Sequence, residues 1–142
     1  MGRPVAHREK AIMKYAKILA ALCLVSSPVF AQAPDWSQAS RVTVTLSSFH
    51  FDPGTVHLHA GQPVVLHLVN GGSGGHNFSA PEFFTAAQIR AQDQASVRKG
   101  AVEVSGHGAT DIALVPRAGT YQLRCTHMMH SAFGMKGAIV VD

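Results

Sequence analysis

Arg41-Val-Thr-Val-Thr-Leu46 alternates polar and apolar side chains and is rich in β-branched residues, the pattern of a strand with one face in a core and the other in water. The same grammar continues downstream. Pro53-Gly54 turns the chain, Thr55-Val-His-Leu-His59 alternates again, Gly61-Gln62-Pro63 interrupts, and Val64-Val-Leu-His-Leu-Val69 is a more apolar run. Further strands are expected at 75–78, 101–105, 110–115, 120–124 and 137–141, with Pro116 and Gly119 as punctuation. About eight short strands at regular spacing predict an all-β chain, an antiparallel Greek-key sandwich or barrel.

One stretch breaks the pattern, at 81–100. Ser79-Ala-Pro-Glu82 reads as a capping box with Pro in the first turn, and Phe83, Phe84, Ala87 and Gln88 or Ala91 follow at helical spacing. A helical insert is expected there, lying across an edge or end of the sandwich, with Phe83 and Phe84 packing it onto the core.

The 142 residues carry 12 Lys+Arg against 8 Asp+Glu, but the excess sits at the front. Up to Ala31 there are five cations (Arg3, Arg8, Lys10, Lys14, Lys17) against Glu9, which is the whole formal charge of +4. The rest of the chain is neutral, so the electrostatic case for nucleic-acid binding is missing. Lys14 and Lys17 precede the apolar run Ile18-Leu-Ala-Ala-Leu-Cys-Leu-Val25, which leads through Ser26, Ser27 and Pro28 to Val29-Phe30-Ala31. A small residue at −1, Ala31, and Val29 at −3 suit cleavage after Ala31, so 1–31 reads as a signal peptide. The run is shorter than the roughly 20 residues of a spanning helix, and no stable membrane anchor is expected after cleavage. Met13 would itself make a good start, leaving 1–12 as a mis-called one. The expectation is an exported protein, periplasmic if the source is a Gram-negative bacterium, with a polar lead at 32–40 and a single domain at 41–142.

Cleavage removes Cys23 and leaves Cys125 without a disulfide partner in a compartment that oxidises thiols. Its surroundings explain it. The run Cys125-Thr-His-Met-Met-His130-Ser-Ala-Phe-Gly-Met135 puts thiolate, imidazole and thioether donors in one loop between two expected strands. Soft donors select copper, and two His with one Cys and a weak axial Met form a blue-copper site. The missing imidazole is best supplied by His76, in the glycine-rich Asn70-Gly-Gly-Ser-Gly-Gly-His-Asn-Phe78, because loops at one end of a sandwich bring distant segments together.

With these residues the chain resembles the cupredoxins, the blue copper proteins of the plastocyanin and azurin type. The resemblance rests on Phe51-Asp-Pro-Gly-Thr-Val-His-Leu-His-Ala-Gly61, His76-Asn77-Phe78, Gly119-Thr-Tyr121 and the loop from Cys125 through His130 and Met135 to Lys136-Gly137. It implies one copper ion held by His76, Cys125 and His130 with Met135 axial, and Asn77 hydrogen-bonded toward Thr126 to steady the site. Two departures stand out. Many members place Pro-Gly before the second His, where this chain has Met128-Met129, and in shorter-loop members the His stands three after the Cys, at the position of Met128. His127 is a rival ligand, but two residues from Cys125 it would sit awkwardly for joint coordination. His50, His57, His59, His67 and His107 read as surface residues, with a weaker second metal site from them, or from His127, Met128 and Met129, left open.

Such a site implies a one-electron carrier that meets redox partner proteins through a patch of Ala132, Phe133 and Met129 around His130. With all four positions filled by protein donors, no enzyme is expected. The alternative is a protein that stores or delivers copper to copper-handling partners on the same fold.

Overall fold

The computed structural model describes Gly2, residues 32–128 and residues 133–142. The signal peptide expected at 1–31, together with Met129, His130 and Ala132 of the ligand loop, lies outside the described residues.

The strands are β1 (Ser40–Ser47), β2 (His50–Asp52), β3 (Thr55–Leu58), β4 (Val64–Asn70), β5 (His76–Ser79), β6 (Gln88–Ile89), β7 (Ala101–Val104), β8 (Ala109–Val115), β9 (Gly119–Arg124) and β10 (Lys136–Val141). They form two five-stranded sheets, in the orders β2-β1-β4-β8-β6 and β3-β10-β9-β5-β7. The fold is the expected all-β sandwich. β4 shows how sequence becomes layer: Val64, Leu66, Leu68 and Asn70 point inward while Val65, His67 and Val69 are half-buried on the other face. Between the sheets Leu46, Leu66, Leu68, Phe78, Ile112, Leu114, Leu123 and Ile139 are fully buried or nearly so. Truncating a side chain of this kind to Ala costs about 2–5 kcal/mol, so this layer carries much of the stability.

Each sheet contains one parallel pair, which the antiparallel expectation missed. β4 runs parallel to β1 and β10 parallel to β3. After β1 and β2 the chain crosses to the other sheet as β3 before returning as β4, so β4 re-enters beside β1 in the same direction; a parallel neighbour needs a crossover of this sort. Alternation along one strand carries no record of that path.

The helical insert is shorter than predicted. Helix α1 spans Pro81–Ala86, with Pro81 in its first turn and Phe83 and Phe84 buried. The capping box does not form: the N-cap is Ala80, with no side-chain cap, because Ser79 is still in β5, paired with Ala101 and Arg124. Ala87 is extended, and Gln88 and Ile89 then pair with Val115 and Leu114 of β8. A 3₁₀ turn at Ala91–Ser96 follows, fastened by the Asp93 carboxylate, which accepts from Arg90 Nε at 2.8 Å and from the Ala113 backbone N–H at 2.9 Å. Tertiary pairing to β8 thus overrides helical periodicity. Phe83 and Phe84 do pack onto the core as expected, in an edge-on series from Phe51 through Phe78, Phe84 and Phe83 to Tyr121 with neighbouring centroids 5.3–6.0 Å apart. β2 and β6 are further departures, three and two residues long, too short for alternation to register.

Strand directions gather four connections at one end of the sandwich: β1–β2, β4–β5, β7–β8 and β9–β10. The β4–β5 and β7–β8 loops touch, His107 N–H donating to Gly72 O at 2.9 Å. At Gly106 any Cβ would fall inside the Ser73 carbonyl group, so only glycine permits this approach.

Candidate metal centre

Cys125 follows the last residue of β9 and Met135 precedes the first of β10. These strands are antiparallel neighbours, with Arg124 opposite Lys136, so the residues that bound the loop stand side by side. The Cys125 N–H donates to Met135 O at 3.1 Å, which closes the base of the loop, and both side chains are fully buried. The third element is β5, next to β9 in the sheet, whose first residue is His76. Nδ1 of this buried ring lies 3.9 Å from Cys125 Sγ, across 49 residues of chain.

That separation fits a shared metal ion. Bonds of about 2.0 Å to an imidazole nitrogen and about 2.3 Å to a thiolate sulfur, as first-row ions make, put N and S between roughly 3 and 4.3 Å apart for angles from a right angle to a straight line. A buried thiol beside a ring nitrogen, with a buried thioether at the loop's other end, is a soft donor set suited to copper. The structure brings together His76, Cys125 and the Met135 segment; His130 lies outside the described residues.

A hydrogen-bonded latch backs the donors. Asn77 Oδ1 accepts from Thr126 N–H at 2.8 Å, Asn77 Nδ2 donates to Thr126 Oγ1 at 2.7 Å, and Asn77 N–H points at Cys125 Sγ at 3.5 Å. A donor aimed at sulfur orients it.

Two contributors were not singled out from sequence. Asn70 is buried and braces the glycine-rich loop that delivers His76: Oδ1 accepts from Gly72 N–H at 2.9 Å, and Nδ2 donates to Gly74 O at 2.8 Å and Val104 O at 3.0 Å. Its signal was there to read, since Asn before Gly-Gly is a turn-forming combination. Glu103, opposite Asn77 in the β5–β7 ladder, accepts from Asn77 Nδ2 at 2.8 Å and bonds His127 Nε2 at 2.8 Å. Nothing local in the sequence announces it.

Three of the remaining histidines have other employment. His59 pairs with Asp142 at 2.8 Å, His50 with the Ser47 hydroxyl at 3.0 Å, and His67 with Asp111 at 2.6 Å, where Arg41 also binds both carboxylate oxygens at 3.1 Å. Burial pushes the Asp111 carboxyl up, but the bonds from His67 and Arg41 outweigh it and hold the group below its ordinary value. Among the described residues no cluster of three or more His, Cys, Asp and Glu is arranged to hold a metal ion.

A two-sheet fold with thiol, imidazole and thioether segments converging at one end defines a cupredoxin. The profile of the family "Copper binding proteins, plastocyanin/azurin family" matches residues 38–142. The chain belongs to this family, and copper is its cofactor. No curated protein shows significant sequence similarity to the chain. Among solved structures it is similar to auracyanin B, at 20% identity and TM-score 0.54, over 80% of this chain and 93% of that one. Auracyanin A from Chloroflexus aurantiacus, a "blue" copper protein, is similar at 21% identity and TM-score 0.50, over 72% of this chain and all (100%) of that one. The multicopper oxidase McoA from Aquifex aeolicus shares the fold at 17% identity and TM-score 0.59, over 78% of this chain but 31% of its own.

Proposed function

We propose that this protein is an exported one-electron carrier in which His76, Cys125, His130 and Met135 hold a single copper ion. The observation that carries the reading is the 3.9 Å approach of His76 Nδ1 to Cys125 Sγ, in a pocket that Asn70 and Asn77 brace from outside. Bound copper supplies a Cu(I)/Cu(II) couple. The chain's own residues keep the geometry constant: the Asn77–Thr126 latch and the Cys125–Met135 backbone bond hold the donors whichever charge they meet, so little rearrangement opposes electron movement. Burial of the three described donors keeps water out. Four protein donors leave no position open for substrate, which is why a carrier is favoured over an enzyme.

Partner contact is assigned to the apolar surface beside the site. Phe133, 62% exposed, lies against Phe49, 42% exposed, with centroids 5.3 Å apart, and a small apolar patch of this type suits brief encounters with redox proteins. A second reading, storage or delivery of copper, is favoured by Met128, 88% exposed inside the ligand loop, since an open thioether captures Cu(I).

Adding Cu(II) to the purified, reduced protein tests the site. An intense visible thiolate-to-copper band, lost in Cys125→Ser, is expected, and its absence in the parent protein overturns the reading. Reversible voltammetry with fast self-exchange supports the carrier, whereas ready surrender of copper to a competing chelator supports the handler.

A further inference from the structure

The loop after Cys125 offers two imidazoles, His127 and His130, for one coordination position. His127 is close at hand. Its Cε1 packs over Gly75, where an added Cβ would sit 3.4 Å away, so the ring lies on the backbone one residue before His76. What occupies its Nε2 is the Glu103 carboxylate, at 2.8 Å.

We infer that Glu103 selects the copper-binding imidazole: it is a positioning residue that clamps His127 away from the metal and leaves the position to His130. The inference rests on the copper-site reading above. The geometry behind it is divided between the two oxygens of one carboxylate. Oε1 accepts from Asn77 Nδ2 at 2.8 Å, tying Glu103 to the residue that latches Thr126, while Oε2 holds His127 at 2.8 Å. Asn77 and Glu103 are also direct neighbours in the β5–β7 ladder, so the backbone sets the reach of the carboxylate before His127 meets it. Between partly exposed side chains the contact adds little to stability; its effect is orientation. A ring held by Nε2 to a carboxylate anchored on β7 cannot swing inward without breaking that bond. Thr126, fixed by Asn77 on both backbone and side chain, removes the slack that would let the chain carry His127 closer.

Four copper-loaded proteins test this by visible absorption and electron paramagnetic resonance: the parent, His127→Ala, Glu103→Ala and the Glu103→Ala/His127→Ala double variant. The parent and His127→Ala are expected to show one and the same copper species. Glu103→Ala is expected to show a second species with a shifted thiolate-to-copper band, rising several-fold over any trace in the parent, and the double variant to return to a single species. A parent-like spectrum in Glu103→Ala overturns the clamp and leaves the copper site standing. A perturbed spectrum that the double variant fails to restore also overturns it, since Glu103 would then be only a structural support. Loss of the band in His127→Ala means that His127 is itself a ligand, and that result overturns the clamp together with the assignment of His130. Glu103→Gln, which cannot accept hydrogen bonds at both ends of its side chain, serves as the second variant should the alanine protein fail to fold. In copper-free protein, the His127 ring resonances should move in both Glu103 variants; unchanged resonances would likewise overturn the clamp.

Discussion

The side-chain amide of Asn77 grips Thr126 twice, Oδ1 taking the backbone N–H at 2.8 Å and Nδ2 reaching the hydroxyl at 2.7 Å, across 49 residues of sequence. Because Thr126 follows Cys125, this pair sets where the thiol stands relative to His76, the residue before Asn77. Two donors of the site are thus held together by their successors in the chain.

Asn77→Ala should therefore damage both fold and site. It removes hydrogen bonds to Thr126 and Glu103 and leaves a backbone N–H without its partner, a loss of about 1–3 kcal/mol. Urea unfolding of the copper-free protein should show a lower midpoint at unchanged slope, and the loaded protein should release copper faster to a chelator. An unchanged release rate would show that the latch does not steady the donors.

Gly106→Ala should destabilise by about 1–3 kcal/mol, because its Cβ would fall on the Ser73 carbonyl and push apart the β7–β8 and β4–β5 loops. Gly74→Ala, in the same glycine-rich loop but with nothing near its Cβ position, is the control and should be close to neutral. Thermal melts of both proteins make the comparison; equal losses would place the sensitivity in loop flexibility instead of the contact.

Asp111 predicts a pH dependence. Its folded-state carboxyl is held below the ordinary 3.8 by His67 and Arg41 despite burial, so the ionised form is favoured in the folded protein. The stabilisation is present above the unfolded value and is lost as pH falls through the lower folded one. Asp111→Asn should cost at most about 1 kcal/mol near neutral pH, as befits a half-exposed pair. Parent and variant should begin to converge as pH falls below 3.8. Unfolding curves across that range, with a constant difference at all pH values, would contradict the assignment.

Asp93→Ala should cost about 1–3 kcal/mol by leaving the buried Ala113 N–H unpaired and freeing the 3₁₀ turn from β8. Asp93→Asn, which keeps one acceptor oxygen, should retain much of the stability. Hydrogen exchange at Ala113 should speed up in the alanine variant and far less in the asparagine one.

The sequence reading reached the sandwich because alternation is a local property: β1 and β4 declare their inward faces residue by residue. It failed where pairing with a distant strand decided the outcome. Helical spacing from Phe83 onward was genuine, yet Gln88 and Ile89 found Leu114 and Val115 and became a strand. Ser79 had the chemistry of a cap but was already committed to Ala101 and Arg124.

The sequence by itself determined the donor chemistry of this protein: Cys125 with His and Met at fixed intervals, a glycine-rich approach to His76, and the alternation that builds two sheets. Only tertiary structure decided which distant groups meet. The 3.9 Å between His76 and Cys125 follows from β5 lying beside β9, and the bonds of Glu103 to Asn77 and His127 follow from the register of β7 against β5. The physical reason is that side-chain chemistry and periodicity are written in neighbouring residues, whereas strand order and register are settled by burying both sheets at once, over separations that no local pattern spans.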